Sequence, residues 1–176
     1  MFATKLALAL ATLCAAGSAY ADDYKAPPLP QIPDHVFAIT DHGAAVGKDV
    51  TKAIQETIDA ASAAGGGTVE IPAGEFLSGP LHLASKINLH LDAGALLKML
   101  PRDQYPGGTT SPGDLVGGKG LSDVALTGDG KIDGQGAAWW PLAKTTPSAR
   151  RPRMIELGGC NRVLIENVTL ENSPMF

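Results

Sequence analysis

Met154-Ile155-Glu156-Leu157-Gly158-Gly159-Cys160-Asn161-Arg162-Val163-Leu164-Ile165-Glu166-Asn167-Val168-Thr169-Leu170 contains three short apolar runs, Met154 to Leu157, Val163 to Ile165 and Val168 to Leu170. A Gly or Asn follows the end of each within two residues. Brief β-branched and leucine runs closed by turn residues predict strands. The pattern has a counterpart upstream: Leu115-Val116 and Val124-Ala125-Leu126 match Ile155 to Leu157 and Val163-Leu164-Ile165, the second strand at an offset of 39 residues. A repeat of this kind predicts a β-solenoid, with the offset covering two turns. No such strand buries a core alone, so each rung stacks on the next and the inward Val, Ile and Leu form columns. On pattern alone, an ordinary β-sandwich with the same rhythm is the alternative.

Working towards the N-terminus, Thr68 to Ile71, Leu81 to Leu83 and Ile87 to Leu91 read as further strands, with no helix among them. The one clear helix is Asp49 to Ala64 (DVTKAIQETIDAASAA). Val50, Ala53, Ile54, Ile58 and Ala61 share a face at helical spacing. Asp49 or Thr51 is placed to cap its start, and Gly65-Gly66-Gly67 stops it. Twenty-one glycines in 176 residues, scattered between apolar runs, describe a turn-rich β protein and not a disordered tract.

The N-terminus reads separately. Lys5, the uncharged run from Leu6 to Ala16, and Ala19-Tyr20-Ala21 form the charge, apolar and small-residue order of a secretory signal peptide, residues 1–21. Its apolar run of about 11 residues is short of the ~20 of a membrane-spanning helix. Secreted or periplasmic localisation follows. Residues 22–35 are a proline-rich extended linker with Ala26 to Pro33 (APPLPQIP) at its centre, and the folded domain is expected over 36–176. Without Lys5 the charge balance is 13 basic against 18 acidic residues, −5, which argues against a nucleic-acid partner. The mature chain keeps one cysteine, Cys160, and so forms no internal disulfide.

Three blocks carry a family resemblance. Phe37-Ala38-Ile39-Thr40-Asp41-His42-Gly43-Ala44, the helix, and Gly65 to Gly74 resemble the entry cap of pectin-degrading right-handed parallel β-helices, and Leu81 to Ala95 continues the match. Gly128-Asp129-Gly130-Lys131-Ile132-Asp133-Gly134-Gln135-Gly136 with Trp139-Trp140 looks like the polygalacturonases, glycoside hydrolase family 28. Arg151-Pro152-Arg153-Met154-Ile155 and Cys160 to Pro174, ending in Asn172-Ser173-Pro174, are similar to the family's next block. The resemblance covers nearly everything from Phe37 to Phe176. It implies an all-β, right-handed parallel β-helix. One N-terminal α-helix caps it, and it is truncated at its C-terminal end. It also implies an inverting hydrolase of α-1,4-galacturonide linkages in pectin that needs no cofactor, has a monomeric full-length form and has no membrane partner. Other readings are another pectin-acting β-helix such as a lyase, or a non-catalytic polysaccharide-binding or structural β-helix.

The family's catalytic Asn-Thr-Asp, Asp-Asp, His-Gly and Arg-Ile-Lys motifs follow the Asn-Ser-Pro block, so they are expected to lie beyond Phe176, two residues after Pro174. No residue of this chain matches them, and the chain alone is expected to be inactive. Asp129 and Asp133 are a poor substitute: four residues of extended chain span roughly 13 Å, against the ~6.5–9.5 Å of an inverting pair. Aspartates beside glycines ordinarily hydrogen-bond their own backbone. Asp129 to Gly134 does not make a calcium loop, because Lys131 occupies a ligand position and Trp140 stands where the bidentate Glu belongs. No metal site is assigned. Candidate pectin-binding residues are Trp140, whose ring suits stacking on a sugar, and Arg150 and Arg151, whose forks suit a uronate carboxylate, in a basic loop with Lys144 and Arg153. Adjacent tryptophans on a strand face opposite sides, so one of Trp139 and Trp140 anchors the loop. His82 and His90 are read as structural, and Cys160 as packed inside.

Overall fold

The computed structural model describes residues 25–175. Two expectations fall outside them: the signal peptide at 1–21, and Phe176 as the point beyond which the catalytic motifs lie. The chain opens with β1 (Val36–Ala38), a 3-10 turn (Ile39–His42) and α1 (Thr51–Ala63). Strands then follow in triplets: β2 (Gly67–Ile71), β3 (Gly74–Ser78) and β4 (Leu81–His82); β5 (Ile87–Leu91), β6 (Ala95–Met99) and β7 (Val116–Lys119). Next come β8 (Ser122–Thr127) and β9 (Lys131–Asp133), a 3-10 turn (Gly136–Ala138) and α2 (Leu142–Thr145). The last are β10 (Ile155–Gly158), β11 (Asn161–Glu166) and β12 (Thr169–Glu171). From β2 onward every third strand pairs in parallel, and β1 adds to β2, giving a first sheet β1-β2-β5-β8-β11, a second β3-β6-β9-β12 and a third β4-β7-β10. This is a right-handed parallel β-helix, the hand that parallel crossovers take almost without exception.

Inward side chains stack in register. Ile87, Val124 and Val163 form one column, Leu89, Leu126 and Ile165 a second, and Phe76, Leu97, Ile132 and Leu170 a third. The upper members are essentially inaccessible to solvent. α1 lies over the first rung with Val50, Ala53, Ile54, Ile58 and Ala61 buried, as its periodicity predicts. Its start differs in detail. Asp49 Oδ1 accepts the Thr51 N–H at 2.9 Å, while the Thr51 hydroxyl accepts the Gly79 N–H at 2.7 Å and ties the helix to the β3–β4 corner.

Three expectations need correction. The 39-residue offset is one turn, since Val163 pairs directly with Val124. The bare rung is 20 residues, Gly67 to Ile87. The excess lies in two loops, 100–115 and 134–154, both at the corner between the second and third sheets. An apolar repeat records which residues point inward but not how many are spent outside, so an insertion mimics a second turn. Secondly, β3, β6 and β9 of the second sheet add strands the pattern did not predict, because each is interrupted by glycine or charge. Thirdly, loop 134–154 contains the short helix α2, where none was expected.

Candidate functional site

Because both insertions leave the helix at the same corner, they stack into a ledge beside the third sheet. The Arg150 N–H donates to Thr109 O at 2.8 Å, joining loop 134–154 to loop 100–115. Inside the ledge, Trp139 is fully buried and meets the Tyr105 ring edge-on, with centroids 5.9 Å apart and planes at 89°. Tyr105 donates its hydroxyl to Gly113 O at 3.0 Å, and burial, with the nearby Asp114 charge, pushes its pKa well above the ordinary phenol value. Trp140 keeps 43% of its surface exposed, and its indole N–H donates to Ser173 O at 2.8 Å. The two tryptophans lie at the end of a 3-10 turn and not on a strand, yet one points inward and one outward.

The glycines on either side of Gln135 are required by close approach. A Cβ on Gly134 would lie 2.7 Å from both Asn172 O and the Pro174 ring. One on Gly136 would lie 2.5 Å from both Ser173 O and the Trp140 indole nitrogen. The turn bearing the tryptophans therefore packs directly on the backbone of 172–174, where the second sheet ends. Asp133 Oδ1 accepts the Gln135 N–H at 2.8 Å and the Asn172 amide at 3.1 Å.

The basic residues separate. Arg151 Nη1 donates to Pro174 O at 2.9 Å, whereas the Arg150 side chain is exposed. Lys144 is exposed on α2. Arg153 turns to the third sheet, 4.0 Å from Asp114 and 3.5 Å from Glu156. The structure thus brings Trp140 and Arg151 together on successive carbonyls of 173–174, and takes Arg153 away.

Elsewhere, His90 has partners the sequence did not suggest: Thr127 Oγ1 at 2.8 Å and Asp92 Oδ1 at 3.5 Å, in a polar row that continues to Asn88 on the outer face of the first sheet. Cys160 is half-buried at a turn and not enclosed, with the carbonyls of Gly118 and Gly158 3.8 Å from its sulfur. An open cleft of about 410 Å³ between α1 and β4 shares no residue with the ledge. Among the described residues, no group of three or more His, Cys, Asp or Glu is arranged to hold a metal, and no helix is long and apolar enough to cross a membrane.

Sequence reasoning missed the pair Asp123 and Arg162, which clasps two rungs; residues 39 apart carry no local sign of their meeting.

Comparison with known proteins places this architecture. Residues 62–176 match the model of the glycosyl hydrolases family 28. The chain is 37% identical over 148 residues to a probable polygalacturonase of Vitis vinifera, covering 72% of this chain and 30% of that one. It is 28% identical over 185 residues to an endo-polygalacturonase of Pectobacterium carotovorum subsp. carotovorum, covering 90% and 44%. The crystal structure of a hyperthermoactive exopolygalacturonase from Thermotoga maritima superimposes with a TM-score of 0.75 at 28% identity, covering 85% of this chain and 44% of that one. The chain thus spans between about a third and under half the length of these relatives. With the family model spanning well over half of it and the fold agreeing, the chain belongs to glycosyl hydrolase family 28.

Proposed function

We propose that this chain is part of a secreted hydrolase that cleaves α-1,4-galacturonide linkages of pectin with inversion, and that the ledge formed by loops 100–115 and 134–154 is one wall of its substrate groove. The observation that carries this reading is the ledge itself. Two insertions stack at one corner of an otherwise minimal solenoid, and they present the exposed Trp140 ring with Arg150 and Arg151 beside the third sheet. An aromatic face suits the apolar face of a pyranose, and a guanidinium suits the uronate carboxylate.

Two acids at the ledge, Asp133 and Asp114, are already engaged. Asp133 accepts two hydrogen bonds, and Asp114 Oδ1 accepts the Arg153 N–H at 2.8 Å. Both carboxylates hold neighbouring donors in place, and no residue of this chain matches the family's catalytic motifs, so the chain alone is expected to bind substrate without cleaving it. Titration calorimetry with trigalacturonate, run beside a reducing-sugar assay on polygalacturonate, tests both halves. The expected result is binding that weakens at least about fivefold in Trp140→Ala, loss of one stacked base-sized ring being worth ~1–3 kcal/mol in comparable sites, with no sugar released. Absence of binding overturns the groove. Sugar release that Asp133→Asn abolishes overturns the assignment of the acids.

A further inference from the structure

Four consecutive carbonyls, those of Glu171, Asn172, Ser173 and Pro174, are each held from loop 134–154. The Gly134 N–H donates to Glu171 O at 3.0 Å and the Gly136 N–H to Asn172 O at 2.8 Å. The Trp140 indole N–H takes Ser173 O at 2.8 Å, and Arg151 Nη1 takes Pro174 O at 2.9 Å. Strand pairing between β9 and β12 stops at Asp133 and Glu171. The backbone ladder is therefore carried one step further by a glycine and then two steps by side chains.

The segment so held turns at a left-handed residue, one of six non-glycine residues with positive φ among those described. Asn172 lies in the left-handed region at φ +51°, its side-chain amide bonded to Asp133, and the Ser173 hydroxyl donates to Met175 O. Asn tolerates this region better than other side chains, and its bond to Asp133 holds it there, so the turn is set locally and the backbone beyond it is left to the clamp. The donors also demand two bare glycines, since a Cβ at either 134 or 136 would collide with the clamped backbone. A strand pair in a stacked rung needs far less than this to stay in register: β2 and β5 add to their backbone ladder one long side-chain contact, Asn88 Nδ2 to Thr68 Oγ1 at 3.4 Å.

We infer that Trp140 and Arg151 are positioning residues: their N–H groups fix the backbone of 172–175 at the corner where the ledge stands, and so set the shape of that end of the groove. The inference rests on the groove reading for its consequence, but not for the clamp. Trp140 has two separable parts. Its ring face is open to solvent, and its N–H is consumed by Ser173 O. Trp140→Phe keeps an aromatic face and removes only the donor. Arg151→Met keeps the stem and removes the guanidinium, while Arg151→Lys restores a single donor.

The test is backbone ¹⁵N relaxation of the 176-residue chain, with variant and wild type compared in the same oligomeric state, alongside trigalacturonate titration. In Trp140→Phe and Arg151→Met, order parameters at Ser173 and Met175 are expected to fall from the rigid value of about 0.85 to below about 0.6, with Val69 and Leu89 unchanged. Trigalacturonate affinity falls about threefold or more, the equivalent of one lost hydrogen bond. Arg151→Lys recovers part of both effects. Unchanged order at Ser173 and Met175 in both variants overturns the clamp, whatever happens to affinity. Loosened order in a chain whose wild type binds no trigalacturonate upholds the clamp and removes the groove reading. Should Trp140→Phe not fold, the Arg151→Met and Arg151→Lys pair decides the matter alone.

Discussion

Asp123 sits in the left-handed region at φ +61°, and its carboxylate is bound on both sides. Arg162 Nε and Nη2 reach Oδ1 and Oδ2 at 2.6 Å each, and the Gln31 N–H reaches Oδ1 at 2.8 Å. This one side chain joins two successive rungs and pins the proline-rich segment across them. The Arg162 fork first, and then the Gln31 amide, hold the Asp123 pKa at about 2, well below the usual carboxylate value. A depressed acid contributes stability that is fully present above its unfolded value of about 3.9 and is lost as pH falls through its folded value. The melting temperature of the wild type should therefore drop between pH 4 and pH 2. Asp123→Asn should melt lower at pH 6 and fall less steeply across that window in thermal circular dichroism. A variant with the wild-type acid slope would assign the loss to other carboxylates. None of this was legible beforehand, because a 39-residue separation becomes contact only through stacking.

At the scale of the element, α1 was the most readable part of the chain. Its apolar spacing and closing glycines predicted residues 49–64, and the helix occupies Thr51–Ala63. What the spacing did not carry is how the helix finishes the sheets beneath it. Gln55 turns its amide to the edge strand β4, accepting the His82 N–H at 2.8 Å and donating to His82 O at 3.1 Å, as a neighbouring strand would. The cap thus satisfies a strand edge that would otherwise recruit other chains. Ile58, fully buried beneath it, is the sensitive point. Ile58→Ala should lower stability to denaturant by about 2–5 kcal/mol, the range for a deleted core side chain. Lys52→Ala, at an exposed position, should stay within about 0.5 kcal/mol. Equal effects would mean that the helix does not cover the core. The strands β3, β6 and β9 were the least readable elements, since β9 turns only Ile132 inward, between Lys131 and Asp133.

For the molecule as a whole, the two ends of the solenoid differ. α1 closes one of them. At the other, the columns that begin in buried Ile87, Leu89 and Phe76 arrive at Val163, Ile165 and Leu170, which are 40%, 49% and 44% exposed. Exposed apolar area is unfavourable by roughly 25 cal/mol per Å², and the free groups of β11 and β12 are open to pairing. The 176-residue chain should therefore self-associate at micromolar concentration, and Ile165→Lys should reduce that association. Size-exclusion chromatography with light scattering measures both. A monomer with a cooperative thermal transition would show that this row is covered in solution by the chain's own residues.

The sequence by itself determined the chemistry of the rungs, the capping helix and the family. Short apolar runs closed by turn residues, helical spacing ahead of three glycines, and the glycine block with its tryptophan pair are all local signals. The tertiary structure alone decided the length of a turn, the ledge, and the partners of Trp140, Arg151, Asp123 and Gln55. Apolar periodicity states which side chains face inward, whereas loop length between rungs costs only logarithmically in entropy and leaves that period almost unmarked. Asp123 and Arg162, 39 residues apart, meet because parallel stacking sets them in register, and Trp140 and Arg151 reach 173–174 because loop 134–154 folds back on that rung; both belong to the assembled solenoid and not to any stretch of its sequence.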